Sequence, residues 1–170
     1  PDYYKDAREW LDKQKGLFRV LTLPIDGEGM TYKWDYGFSG VELSNNLFNH
    51  SMISLNTSQA FLPEMTDGIK KTLAIYPEKL GILAQILNVK YIMLRDDIDY
   101  LARETEAPST DLNLIKENLS SQFPFVAEFG KLKFFEFNPV EFQPRISANA
   151  APIYLFDSSG RSIELLPFSN

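Results

Sequence analysis

Cysteine is absent from the 170 residues and histidine occurs once, as His50. The first absence removes disulfide frameworks, thiolate zinc sites and cysteine nucleophiles together; the second removes any His-rich metal centre. No Lys/Arg cluster is present, and 23 acidic against 17 basic residues leave a net charge of −6. That is the opposite of the electrostatic footprint of a nucleic-acid binder, so no nucleic-acid partner is expected. No window approaches the roughly 18 to 20 apolar residues that span a bilayer, and no basic segment followed by an apolar one opens the chain. The first residue is Pro1 rather than Met, which reads as a processed chain or, preferably, a piece of a longer one. A chain of this length buries roughly two thirds of its unfolded surface without needing a covalent staple. Aromatic residues are plentiful at 14% and are expected to fill a sheet-containing interior.

The stretch ILNVKYIMLRDD, Ile86 to Asp97, sets the frame: an apolar helix runs into an apolar strand with only Asn88 between them, then stops on Arg-Asp-Asp. Ahead of it, Pro77 suits a first helical turn, and Leu80, Leu83, Ala84 and Leu87 form a stripe that Ile82 and Ile86 widen. That helix is apolar nearly all round and is expected to be buried. VKYIML then reads as a strand covered on both faces. At the start of the chain, Tyr3 or Tyr4, Ala7, Trp10 and Leu11 recur at helical spacing, with Gly16 suited to the helix end, and LFRVLTLP reads as a strand ended by Pro24.

Residues 25–49 hold four glycines among Tyr32, Trp34, Tyr36 and Phe38 and read as one long aromatic loop. SMISLN suits a short strand, and a helical piece is expected around Thr66 to Ile75. LIKENLSSQ, after STD, reads as a helix, and FPFVAEFGKLKFFEFN as a hairpin turning at Gly130-Lys131. Beyond the small-residue stretch ISANAAP, the segments APIYLFD and SIELLPF form a last strand pair. The fold class is α+β, a mixed β-sheet with packed helices ending in a β-hairpin, divided as an α+β domain over 1–148 and a C-terminal hairpin over 149–170 that either belongs to the same domain or starts a second one.

Chemistry-bearing residues are few. Asp96, Asp97 and Asp99 follow a buried strand, where α/β sheets place ligand and metal sites, although adjacent aspartates there more often solvate a loop or cap a helix. Glu136 and Glu141 flank a strand end and could form a glycosidase pair; Glu alternating with Phe in FFEFN equally suits a solvent-facing position. YKWDYGF, Tyr32 to Phe38, is the most informative loop. Alternate aromatics around Asp35 suit a stacking platform with a polar neighbour, the chemistry of a carbohydrate surface, and make Tyr32, Trp34, Asp35 and Tyr36 the candidate ligand-binding residues. The alternative is a loop packed under its own aromatics. DGEG opens no helix and makes a poor phosphate cradle, and no Gly-x-Ser-x-Gly elbow accompanies His50. Asn49, Asn56 and Asn118 begin N-glycosylation triplets that are frequent by chance. No metal site and no cofactor are expected.

Taken in order, PDYYKDAREWL, LFRVLTLP with its aromatic-glycine loop, LAQILNVKYIML and GKLKFFEFNPVEFQPRI resemble the extracytoplasmic soluble domain of polytopic membrane proteins of the GT-C glycosyltransferase type. That group includes lipoteichoic-acid glycosylation proteins and arabinofuranosyltransferase-like proteins. The resemblance covers roughly Pro1 to Ala148. It implies a membrane-embedded part of the same protein as partner, location on the extracytoplasmic side of the cell membrane, and catalysis in a loop between membrane helices outside this chain. No catalytic residue is carried over. The role implied is a non-catalytic domain assisting glycan acceptor binding in cell-envelope polysaccharide or glycolipid synthesis. A free-standing carbohydrate-binding module and a soluble glycoside hydrolase are the rival readings.

Overall fold

The computed structural model describes residues 1–23, 30–54, 69, 72, 76–99, 112–137, 153–156 and 162–165. The first helix, α1 (Asp2–Asp12), buries Tyr4, Ala7 and Leu11, which the 3.6-residue period places on one face, and leaves its charges outside. Gly16, at φ 99°, takes the left-handed turn that leads into β1 (Arg19–Leu23). Strands β2 (Met30–Tyr32) and β3 (Phe38–Gly40) pair antiparallel, so the expected aromatic loop is in fact a hairpin. A single helical turn, α2 (Ser44–Leu47), leads to β4 (Ser51–Ile53).

After a 3-10 turn at Pro77–Lys79 come α3 (Leu80–Ile86) and β5 (Val89–Arg95), joined through Asn88 in the left-handed region at φ 54°. Asparagine is among the few non-glycine residues that tolerate this conformation. Here its amide also donates to the Leu17 carbonyl at 3.0 Å, which ties the helix-to-strand reversal to the start of β1. Helix α4 (Leu112–Gln122) leads to the hairpin β6 (Phe125–Phe129) and β7 (Leu132–Glu136), which turns at Gly130 as expected. A Cβ on Gly130 would meet the Tyr3 ring at 2.8 Å, so both its φ of 54° and the close approach of α1 require glycine.

Five strands form one mixed sheet in the order β4-β1-β5-β7-β6, parallel between β4, β1 and β5 and antiparallel from β5 outward. The fold is α+β, as the sequence pattern implies. β5 is the middle strand and, apart from half-buried Lys90, buried along its whole length. Its side chains alternate: Ile92 and Leu94 pack with Leu80, Ala84, Ile115 and Leu119 of α3 and α4, while Tyr91 and Met93 pack with Tyr4, Ala7 and Leu11 of α1. Each fully buried residue of this kind contributes about 1.5–3 kcal/mol.

Strands β8 (Ile153–Phe156) and β9 (Ser162–Leu165) form a separate antiparallel pair, as expected from the last two apolar segments. The expected division at residue 148, the linker ISANAAP and most of the helical piece at Thr66 to Ile75 lie outside the described residues. A further expectation fails. Helix α3 is not buried all round, because Ile82 and Ile86 stand 61% and 36% exposed on its outer face.

Candidate functional site

The C-terminal ends of the parallel strands, where α/β sheets collect ligand sites, gather four pieces of chain. These are the end of β5 with the Asp96–Asp99 strip, the first turn of α1, the β6–β7 turn and the β2–β3 hairpin. Backbone bonds join them. The Lys33 N–H donates to the Asp97 carbonyl and the Asp99 N–H to the Thr31 carbonyl, each at 2.7 Å, and Tyr32 bridges to Ile98. The strip after β5 thus runs as a short antiparallel partner of β2. From the other side the Lys131 Nζ donates to the Lys33 carbonyl at 2.7 Å, and the Asp96 N–H donates to the Lys131 carbonyl at 2.9 Å.

Inside this junction Asp97 is completely buried. Its Oδ2 accepts three hydrogen bonds from neutral donors: the Tyr3 hydroxyl at 2.8 Å, the Tyr4 hydroxyl at 3.0 Å and the Trp34 indole N–H at 2.9 Å. Oδ1 has no hydrogen-bonding partner among the described residues. Bonds to a charged acceptor are the strong kind, roughly 1.5–3 kcal/mol each, and they offset part of the cost of taking a carboxylate out of water. Burial raises the Tyr4 hydroxyl far above its ordinary value, and the Asp97 charge adds to the rise; Tyr3 moves the same way, through burial first and then its bond to Asp97. Both phenols therefore stay protonated donors.

A second buried group lies beside the first. Arg95, the last residue of β5, and Glu42 are both about 1% exposed. The Arg95 Nη1 lies 2.8 Å from Glu42 Oε1, a hydrogen bond, and 2.6 Å from Oε2, an ionic contact, and it also donates to the Ser44 hydroxyl at 3.2 Å. Glu42 in turn accepts the Ser44 N–H at 2.7 Å. The pair pins the segment after β3 to the end of β5. Tyr32 lies close enough that burial, followed by the Glu42 charge, pushes its hydroxyl up to about 12.

The four candidate binding residues separate by depth. Tyr32 is 2% exposed and its oxygen accepts the Leu43 N–H, so it supports the hairpin from within rather than facing a ligand. Trp34 is half-buried, with its indole nitrogen committed to Asp97 and its ring stacked on Phe38 with centroids 5.8 Å apart. Asp35 and Tyr36 are exposed at the tip, Tyr36 at 69%, in a turn closed by the Gly37 N–H on the Trp34 carbonyl with Gly37 at φ 61°. The Tyr36 ring lies 5.5 Å from that of Trp34, and an acid-flanked aromatic tip on a braced base results.

The acidic trio also divides. Asp96 is exposed and pairs with Lys133 at 2.6 Å, which raises the Lys133 ammonium pKa. Glu136 does not join it: Glu136 stands opposite Tyr91 at the far end of β5, 3.9 Å from Lys90. Five residues of strand from Tyr91 to Asp96 span roughly 16 Å, well beyond the ~5–9.5 Å that separates glycosidase carboxylates. Glu141 lies outside the described residues. His50 stacks on Phe18 and sits 3.0 Å from the Leu11 carbonyl, a packing role. The Tyr3–Tyr4–Asp97 and Arg95–Glu42 groupings do not follow from the sequence pattern. The one local sign is Arg95, a charged residue closing the apolar run from Tyr91 to Leu94.

No protein-family model matches the chain, and no curated protein matches it. Two solved structures have its fold. One is the arabinofuranosyltransferase AftD from mycobacteria, at a TM-score of 0.65 and 15% identity over 82% of this chain. The other is a mutant form of the same enzyme, with the same score, identity and coverage of this chain. The match takes up 12% and 13% of those chains respectively, so this chain spans about an eighth of their length. Among the described residues no helix is long and apolar enough to cross a membrane. The chain is therefore similar in fold to a small part of a large glycosyltransferase.

Proposed function

We propose that this chain is a non-catalytic, extracytoplasmic domain of a membrane glycosyltransferase-like protein, and that the β2–β3 tip contacts a glycan acceptor during cell-envelope synthesis. The observation that carries this reading is the likeness in fold, over 82% of the chain, to a small part of an arabinofuranosyltransferase. The state of the carboxylates supports a non-catalytic role: Asp97 is sealed under three donors, Asp96 is paired with Lys133, and Glu136 stands at the other end of the strand. The tip supports acceptor contact. Tyr36 offers an open ring face, Asp35 beside it accepts hydroxyl hydrogen bonds, and Trp34 holds the turn rigid from behind. The membrane-embedded part of the same protein is the expected partner.

The test is an NMR titration of the chain with arabinofuranosyl and other cell-envelope oligosaccharides, following the Trp34 indole and the Tyr36 ring. Saturable shifts confined to residues 33–38 are expected. Tyr36→Ala, a change at an exposed ring, is expected to weaken binding at least about fivefold, on the order of 1 kcal/mol of aromatic contact. Absence of shifts at millimolar oligosaccharide would remove the acceptor role, and sugar transfer by the isolated chain would remove the non-catalytic one.

A further inference from the structure

The opposite end of the sheet has a different surface. Eight large apolar side chains are exposed among the described residues, and the topology brings four of them, Leu17, Ile86, Phe125 and Val126, to the N-terminal end of the parallel strands. Leu17 precedes β1 and Ile86 precedes Asn88 and β5. The Asn88–Leu17 bond and the bond from the Arg19 N–H to the Asn88 carbonyl hold these two segments side by side. Phe125 and Val126 open β6, which runs parallel to β5 because each is antiparallel to β7. Ile82 stands one helical turn above Ile86 on the same exposed stripe of α3.

The charge at this end is also unlike the rest of the chain. Although the whole carries a net charge of −6, the segments that meet here, from Lys13 to Arg19 and from Gln85 to Lys90, contain no Asp or Glu. Lys13 and Lys15 are exposed where α1 runs out, and Arg19 is half-buried beside them. Among the described residues the acids beside these cations are Asp12, which accepts the Asn49 amide and lies 3.5 Å from His50, and Glu136, which is paired with Lys90, against Lys13, Lys15, Arg19 and Lys90. Apolar side chains rimmed by an excess of cations are the composition of a face that rests on an anionic bilayer, the apolar groups entering the headgroup boundary and the cations lying against the lipid charge.

We propose that this end of the domain is a docking face for an anionic membrane surface. The seven residues of β5, at about 3.3 Å each, then hold the aromatic tip on the order of 20 Å above the lipid. The proposal does not depend on glycan binding at the tip and survives its failure.

The experiment is co-sedimentation of the chain with vesicles of phosphatidylcholine alone and of phosphatidylcholine mixed with phosphatidylglycerol. Binding to the mixed vesicles only, lost in molar salt, is expected. Each basic residue near such a surface is worth roughly fivefold in partitioning, so Lys13→Gln with Lys15→Gln lowers binding by about thirtyfold. Leu17→Ser with Phe125→Ser, with an intact fold checked by circular dichroism because the Phe125 ring packs on Phe135, lowers it at every lipid composition that binds. Failure to sediment with the mixed vesicles overturns the proposal, as does equal binding to both kinds. A dimer seen by light scattering and abolished by the same serine variant would assign the face to a second copy of the chain instead.

Discussion

The two faces of the five-stranded sheet are both closed by helices, yet they are built differently. Toward α3 and α4 the buried residues are almost all aliphatic, with Leu21, Leu23, Ile92, Leu94, Ile115 and Leu119 at the centre. Toward α1 they are rich in rings: Tyr4, Phe18, Phe48, Tyr91 and Phe134, with Trp10 and Trp34 against them. Aliphatic side chains fill space and offer no polar atom. Tyrosine and tryptophan fill space and bring one donor each, and on this face the donors of Tyr3, Tyr4 and Trp34 converge on Asp97. Arg95 follows Tyr91 and Met93 in the alternation of β5 and so belongs to this side. The aliphatic face carries stability, and the aromatic face carries buried charge to the end of the sheet where the hairpin is mounted.

Breaking the charged part is expected to have the largest effect. Glu42→Ala removes the buried carboxylate that contacts Arg95 Nη1 and is expected to cost about 3–5 kcal/mol in urea unfolding. Glu42→Leu combined with Arg95→Met is expected to recover most of that. A double variant no more stable than the single one would show that the pair is worth more than the packing that replaces it. Next comes the aliphatic face, where Leu119→Ala, at a fully buried site, is expected to cost about 2–5 kcal/mol. Tyr4→Phe keeps the ring and removes one of three donors to Asp97, so roughly 1.5–3 kcal/mol is expected. If it matched Leu119→Ala in cost and also released the Trp34 indole proton to solvent exchange, the two faces would differ more in cooperativity than in content.

The remaining prediction concerns pH. Burial pushes the hydroxyls of Tyr32 and Tyr91 up to about 12, from an ordinary 10.0. A folded-state pKa raised in this way gives stability that is complete below pH 10. It is lost as the unfolded chain ionises above that point while the folded chain resists, until the folded groups ionise near pH 12. Melting temperature is therefore expected to fall steadily from pH 10 to 12, and a flat profile would show that these rings are not held as described.

Much of the frame was legible because it is written in local patterns. The unbroken apolar run of β5, the Gly130 turn and the heptad-like spacing of α1 each fix an element within a dozen residues. What was illegible depends on partners far apart in the chain. Glu42 and Arg95 meet across 53 positions and Tyr4 and Asp97 across 93, and neither carries a mark of its partner. The reading of α3 as buried failed for a related reason: an all-apolar helix has no polar face to show which side looks outward, so Ile82 and Ile86 could not be told from Leu80 and Ala84. The β2–β3 hairpin was read as loop because its strands are three residues each and its turn, Trp34 to Gly37, lacks an Asn-Gly or Asp-Gly pair. Depth within YKWDYGF was equally hidden, since Tyr32 and Tyr36 differ only in the face of the ribbon they occupy.

The register shift in β6 between Phe125 and Ala127 has a consequence for solubility. Among the described residues β6 and β4 are the two margins of the sheet, and an apolar margin with free amides is a template on which other chains add strands and polymerise. The displaced residue at Val126 interrupts that template where the side chains are most apolar, and β4, at three residues, is too short to offer one. The sheet can therefore leave Phe125 and Val126 open to a surface without inviting growth of strands from another molecule.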